Sequence, residues 1–391
     1  MLPMTDSGKT VAVYAIKLSL WLPVTTLLQG LPGLGNVNRI CMALLLCLIA
    51  LDVVTSRMSL GGWVTLLCTL ALYGFALTET KGPLYNTNDL VYFAAWVLFL
   101  LFAAARMDFL LSTLRANAPY LRLLLVIWHG LVLLSALFPA SYLRTVEGVY
   151  FVSFTGTGFR LAPSALFTMT LALVYRKLTS RHAAMGYMLL PLACAYLNGS
   201  RTYAGVILLL FFCAFYTVLK RKVWLVPLCG ILVVLVFVSP VMNKITATSY
   251  TQGDPLGPLG TVTSGRTIFW RAELVAFAAL PALQKLTGGG FNLVYAVNQQ
   301  AVGTAIWAHN DFLSMLLSHG ILGLACYLYS LFALFRASTL WLGPLPWPLR
   351  AGFFSIWFVN AFFNMVYTYP CAMLALPFLL IGLGLREEER P

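Results

Sequence analysis

The chain has 391 residues, 60% of them hydrophobic and 9% charged, with a mean hydropathy of +0.86. No soluble domain of that size can hide so much apolar surface, so the class is integral membrane. The net charge of +13 is not gathered into a basic stripe with interleaved aromatics, which excludes a nucleic-acid binder and leaves membrane topology or an anionic substrate to explain it.

In chain order, the first apolar span runs from Val11 to Leu31 after a polar start containing Lys9. No small-x-small cleavage pattern follows, so it reads as a transmembrane helix rather than a signal peptide. Further spans of crossing length are predicted near 39–55, 60–78, 88–105, 119–138, 161–178, 183–198, 202–219 and 223–242, and then near 311–335, 347–367 and 370–386. The expected architecture is all-α, with about twelve transmembrane helices and a large, partly helical outer loop between the ninth and tenth. It divides as 1–242 (helices one to nine), 243–310 (loop) and 311–391 (the last three helices and a tail). The eight cysteines all fall in apolar runs and none forms a CxxC pair, which argues against a disulfide framework or a zinc site.

With the N-terminus inside, the clusters Arg176-Lys177 and Lys220-Arg221-Lys222 fall on the cytoplasmic side with most other Lys and Arg. Both termini are therefore expected in the cytoplasm. The outer side keeps Arg39, Lys81, Arg144, Arg160, Arg201, Lys244, Arg266, Arg271 and Lys285. Arg39 and Lys81 read as residues snorkelling to lipid phosphates, and Arg144 and Arg160 stay open between that and a site. Arg201, in the short turn Asn198-Gly199-Ser200-Arg201-Thr202, reads as functional.

The outer segment 243–310 concentrates the polar residues. Ser264 is an expected N-cap for a helix running to Pro281, with Arg266 in its first turn. A cation there opposes the helix dipole unless an anion offsets it, and a phosphate would satisfy both the guanidinium and the free backbone N–H groups. The run Gly288-Gly289-Gly290-Phe291-Asn292 is either a hinge or a backbone that approaches a ligand, which makes Gly289, Gly290 and Asn292 candidate lining residues. His309 is the strongest single candidate. It precedes Asn310 and Asp311, both good N-caps for the next span, and the dipole there favours neutral imidazole, the proton-accepting form. Asp311 pushes the other way. His319 lies about 15 Å deeper and reads as a packing residue, as do His129 and His182.

Clustered carboxylates for a divalent metal, a Gly-x-Ser-x-Gly elbow and a nucleotide-binding motif are all missing from the sequence. A diphosphate leaving group is already activated, so arginines can neutralise its developing charge while a neutral histidine takes the acceptor's proton. These features match a reaction on a lipid-linked diphosphate.

Three features resemble the bacterial O-antigen ligase family: the span layout, the arginines of Gly199-Ser200-Arg201-Thr202 and Ser264-Gly265-Arg266-Thr267, and the run Trp307-Ala308-His309-Asn310-Asp311-Phe312-Leu313 followed by Gly320-Ile321-Leu322-Gly323. The resemblance implies an inner-membrane glycosyltransferase whose site faces the periplasm. Its donor would be polysaccharide on undecaprenyl diphosphate and its acceptor a sugar hydroxyl of lipid A-core, with no metal, nucleotide or other cofactor. It further implies that Arg201 and Arg266 bind the diphosphate and that His309 is the general base. Arg144, Arg160 and Lys81 would be secondary contacts, Asn310 would line the site, and the anomeric carbon would invert. O-antigen polymerases and protein O-oligosaccharyltransferases share these motifs, so ligase is the preferred reading among them. A transporter or flippase of an anionic lipid-linked glycan is the alternative from another class. It is disfavoured because the halves show no internal repeat and the outer basic residues cluster at one face.

Overall fold

The computed structural model describes residues 6–55, 58–145, 148–179, 182–218, 265–343 and 347–384, with single positions at 223, 227, 230 and 234. The chain opens with α1 (Asp6–Leu28), α2 (Val37–Thr55), α3 (Leu60–Glu79), α4 (Asp89–Ala105), α5 (Met107–Ala116) and α6 (Ala118–Ser135). A two-stranded antiparallel ribbon, β1 (Tyr142–Thr145) and β2 (Gly148–Phe151), leads into α7 (Gly158–Thr179), α8 (Leu189–Leu197) and α9 (Arg201–Val218). After the predicted span at 223–242 and the polar stretch 243–264, which lie outside the described segments, come α10 (Arg266–Ala279), α11 (Ala282–Thr287) and α12 (Leu293–Val302). The chain then continues as α13 (Asp311–Leu342), α14 (Trp347–Phe363) and α15 (Pro370–Gly384).

Among the described residues six helices are long and apolar enough to cross a membrane, in α1, α2, α3, α6, α7 and α13. A seventh is added if α4 and α5, bent by 76°, form one broken span. The predicted spans near 183–198, 202–219, 347–367 and 370–386 also coincide with helices, but among the described residues the expected count of about twelve is not reached by length. At 1.5 Å per residue, the 15 residues of α15 rise about 22 Å, short of the roughly 30 Å hydrocarbon core. The bend between α4 and α5 falls at Arg106. Its guanidinium is buried and makes a two-pronged pair with Asp52 of α2 at 2.9 Å on each prong. Two buried charges are tolerable there because each satisfies the other.

The core is built around α7, which is buried along Leu161–Lys177 and packs against α15, α1, α6 and α8. An apolar sequence buried all round belongs at the centre of a bundle. The Ser164 hydroxyl accepts from Trp128 Nε1 of α6 at 2.9 Å and donates to the Pro23 carbonyl of α1 at 2.9 Å, joining three helices through one side chain.

The Gly288–Gly290 run serves helix packing. Helix α13 breaks at Gly320 (φ 69°, ψ −169°), and the end of α11 fits into the break. A Cβ on Gly320 would lie 2.3 Å from the Leu286 carbonyl oxygen, and one on Gly288 2.2 Å from that of Ser318. The Gly289 N–H donates to the Leu317 carbonyl at 2.8 Å. Gly320→Ala therefore meets both a left-handed backbone and a backbone clash, and is expected to cost about 3 kcal/mol or more. The check is the midpoint of thermal unfolding in detergent. His319, beside the break, packs between Phe93, tilted with ring centroids 4.1 Å apart, and Phe291, edge-on at 5.3 Å.

Candidate active site

The segment carrying His309 is held from two directions. Trp270 Nε1 on α10 donates to the Ala308 carbonyl at 2.6 Å. Asn298 Nδ2 on α12 bridges the Glu273 carboxyl at 2.8 Å and the Ile306 carbonyl at 2.9 Å. Asn310 then caps α13, its side chain accepting from Leu313 N–H at 3.1 Å. Between these fixed points His309 adopts φ 50°, a left-handed conformation that only one other described non-glycine residue, Ser153, shares. Such a conformation persists only where the surroundings over-determine it, and it concentrates at functional sites. It turns the imidazole into the wall of a cavity of about 830 Å³.

His309 is strongly biased toward the neutral form. Burial and then the Arg266 charge push its pKa down to about 3, against a smaller opposing effect from an Asn364 hydrogen bond. The Nδ1 atom is buried without a hydrogen-bond partner. The sequence set the helix end against Asp311 as opposing influences on this imidazole, whereas burial and Arg266 are the dominant ones in the structure.

Arg266 is the first residue of α10, behind a cap formed by Gly265 (φ 74°), whereas the expected cap Ser264 lies outside the described residues. It donates to the Phe363 carbonyl. Burial, followed by repulsion from Arg201 at the start of α9, lowers its pKa to about 10, and Tyr369 partly offsets this. The three residues singled out most strongly in the sequence, His309, Arg266 and Arg201, are thus electrostatically linked although more than a hundred residues separate the first from the last. Two arginines held this close favour an anion between them.

The other candidates disperse. Arg160 lines the cavity, and so does Arg39, which the sequence suggested was only a snorkelling residue. Arg144 is exposed on β1 and Lys81 is exposed after α3; neither is on the cavity wall. Gly289, Gly290, Asn292 and Asn310 are also absent from that wall. Asn292 instead clamps the connection after α3, donating to the Lys81 and Pro83 carbonyls at 2.8 and 2.9 Å and accepting from Tyr85 N–H at 3.2 Å. Residues the sequence did not bring forward are Tyr92 and Tyr369 on the wall, and Asn364 beside His309. Tyr369 and Asn364 stand in the connection between α14 and α15, the run Asn-Met-Val-Tyr-Thr-Tyr, which carries no recognisable pattern.

Asp311 positions that connection. Its carboxylate is fully buried and accepts from Val366 N–H at 3.1 Å and from Tyr327 OH at 2.6 Å. It ties the start of α13, and so His309, to the loop that supplies Asn364 and Tyr369. Asp311→Ala strands two buried donors, each costing about 1–3 kcal/mol. The expected result is a lower unfolding midpoint together with reduced activity. Glu273 is a second buried carboxyl, with Oε2 unpartnered and a pKa raised by burial to about 8. Its folded form keeps a proton that the unfolded chain releases above about 4.5, so this group makes stability fall as pH rises from about 4.5 to 8. Glu273→Gln removes that dependence. The variant should be the more stable protein at pH 7.5 and nearly equal to wild type at pH 4.5, read from unfolding midpoints at the two values.

The family model described as O-antigen ligase matches residues 186–328, a stretch that contains Arg201, Arg266 and His309. No curated protein sequence matches the chain. The protein is therefore similar to O-antigen ligases over this stretch, set among helices of membrane-crossing length.

Proposed function

We propose that this protein, which shares the O-antigen ligase similarity over 186–328, is a membrane glycosyltransferase that attaches a lipid-linked polysaccharide to lipid A-core. The donor is polysaccharide on undecaprenyl diphosphate. The acceptor is a sugar hydroxyl, and the site faces the periplasm of the inner membrane, with residues 243–310 on that side and both termini in the cytoplasm. The observation that carries the reading is His309: a left-handed, half-buried imidazole on the wall of a large cavity, beside a pair of arginines.

In this mechanism Nδ1 of His309 accepts the proton of the acceptor hydroxyl as its oxygen attacks the anomeric carbon. The bond from that carbon to the diphosphate oxygen breaks, and undecaprenyl diphosphate leaves with the electron pair. Arg266 and Arg201 neutralise the charge that develops on it, a role in which a desolvated guanidinium is effective. Asn364 engages the imidazole and leaves Nδ1 as the accepting nitrogen. Attack opposite the leaving group inverts the anomeric centre. Neither metal nor nucleotide takes part.

The test is a purified-component assay with EDTA and no ATP, offering lipid A-core in one arm and a second lipid-linked glycan in the other. Transfer to lipid A-core supports the ligase. Extension of the lipid-linked glycan alone makes the protein a polymerase, and movement of donor across a vesicle membrane without a new bond makes it a transporter.

A further inference from the structure

Helices α10 and α11 carry an apolar face that none of the described residues covers. On α10 the buried side presents Phe269, Trp270 and Glu273 to the bundle. The opposite side shows Ile268, Leu274 and Val275, and α11 adds Leu283 and Leu286, all between 40% and 64% exposed. A helix that is apolar on both sides is not built to face water on either. The charges here have one sign at the surface. Between Arg266 and Thr287 the only carboxyl, that of Glu273, is fully buried, whereas Arg271 is exposed and Lys285 half-exposed. The height of this face follows from its neighbours. Helix α3, with 20 residues, rises about 30 Å, the thickness of a hydrocarbon core, and its last residue, Glu79, accepts from Gln284 Nε2 of α11 at 2.7 Å. The part of α13 beyond Gly320 rises about 33 Å, and α11 fits into the break at its start. Two helices of crossing length thus put α11 at one membrane boundary. Leu77 of α3 and Ile321 and Leu322 of α13, at the same level, are exposed as well, so the face continues the lipid-facing surface of the bundle.

We infer that α10 and α11 lie in the interface of the bilayer, with their leucine and valine side chains among phospholipid acyl chains and Arg271 and Lys285 at the headgroup phosphates. Apolar side chains gain there by leaving water, and basic ones meet phosphate, the balance that holds an amphipathic helix in a membrane surface. The segment that the sequence assigns to an outer loop is then in part a membrane element. The consequence reaches the site. Helix α10 begins with Arg266, and its Trp270 holds the Ala308 carbonyl, so the lipid layer supports the helix that fixes both. This seat in the bilayer goes beyond the transferase reading and does not rest on it.

The experiment uses the full-length protein in nanodiscs of phosphatidylcholine and phosphatidylglycerol, with the photoreactive p-benzoylphenylalanine in place of Val275 or Leu283. The same group in place of Leu67, 62% exposed in the middle of α3, is the lipid-facing reference. After irradiation the adducts are identified by mass spectrometry. Both α10 and α11 positions should give phospholipid adducts at yields within about threefold of the Leu67 yield. Absence of lipid adducts at either position, with Leu67 labelled, overturns the proposal. So do adducts that join these positions to residues 243–264 or to a second copy of the chain in place of lipid. A Leu283→Glu/Leu286→Glu substitution should lower the lipid yield at Val275 about tenfold. The Leu67 yield should stay unchanged, which shows that the bundle itself is intact. An unchanged Val275 yield in that variant would also count against the seat.

Discussion

His309→Ala is expected to slow glycan transfer about 10²–10⁴-fold, the usual contribution of a positioned general base, without weakening donor binding. The imidazole is held by burial and by the neighbouring arginine in a form that needs no deprotonation before it can act. That has a consequence for pH. An ordinary histidine, with a pKa near 6.5, loses about thirtyfold of its neutral form on going to pH 5. With the pKa of the free protein lowered to about 3, the neutral fraction stays near one over that range. The ratio kcat/KM should therefore be flat from pH 7.5 to pH 5. A decline with a midpoint near 6.5 would show that the base is not His309 in this environment.

Arg266→Ala is the second large effect, a loss of about 10²–10³ in kcat, comparable to removing one preorganised donor from a developing anion. Removing the guanidinium also removes a positive neighbour of His309, so the histidine pKa should rise toward its ordinary value. The variant thus combines a lower rate with a new fall in activity on acidification. Arg266→Lys retains charge but loses the planar fork, and should recover only part of the rate, about tenfold above alanine. A variant enzyme with unchanged kcat and a raised KM would instead place Arg266 in ground-state binding alone.

Much of this arrangement was legible in the sequence. Arg201 stood out as a charge in a short turn between apolar runs, and Arg266 and His309 as groups at the starts of predicted helices within the polar segment. Their electrostatic linkage could not be read, because it depends on how α9, α10 and α13 pack. The triple glycine left a hinge and a close backbone approach open, and the structure shows a close approach, of Gly288 to the broken turn at Gly320. That Arg39 lines the cavity could not be read, because its sequence neighbours are ordinary apolar residues and only the packing of α2 against α1 and α4 turns it that way. Asn364 and Tyr369 had no signature at all. They matter through Asp311, whose buried carboxylate holds their loop against the start of α13.

The proposed reaction is a single displacement at the anomeric carbon, assisted by His309 and with diphosphate departing. The most direct measurement is the anomeric configuration of the linkage made by the purified protein, compared by NMR with that of the donor. Inversion is the predicted result. Retention would require two displacements through a glycosyl–enzyme intermediate and would contradict the single displacement.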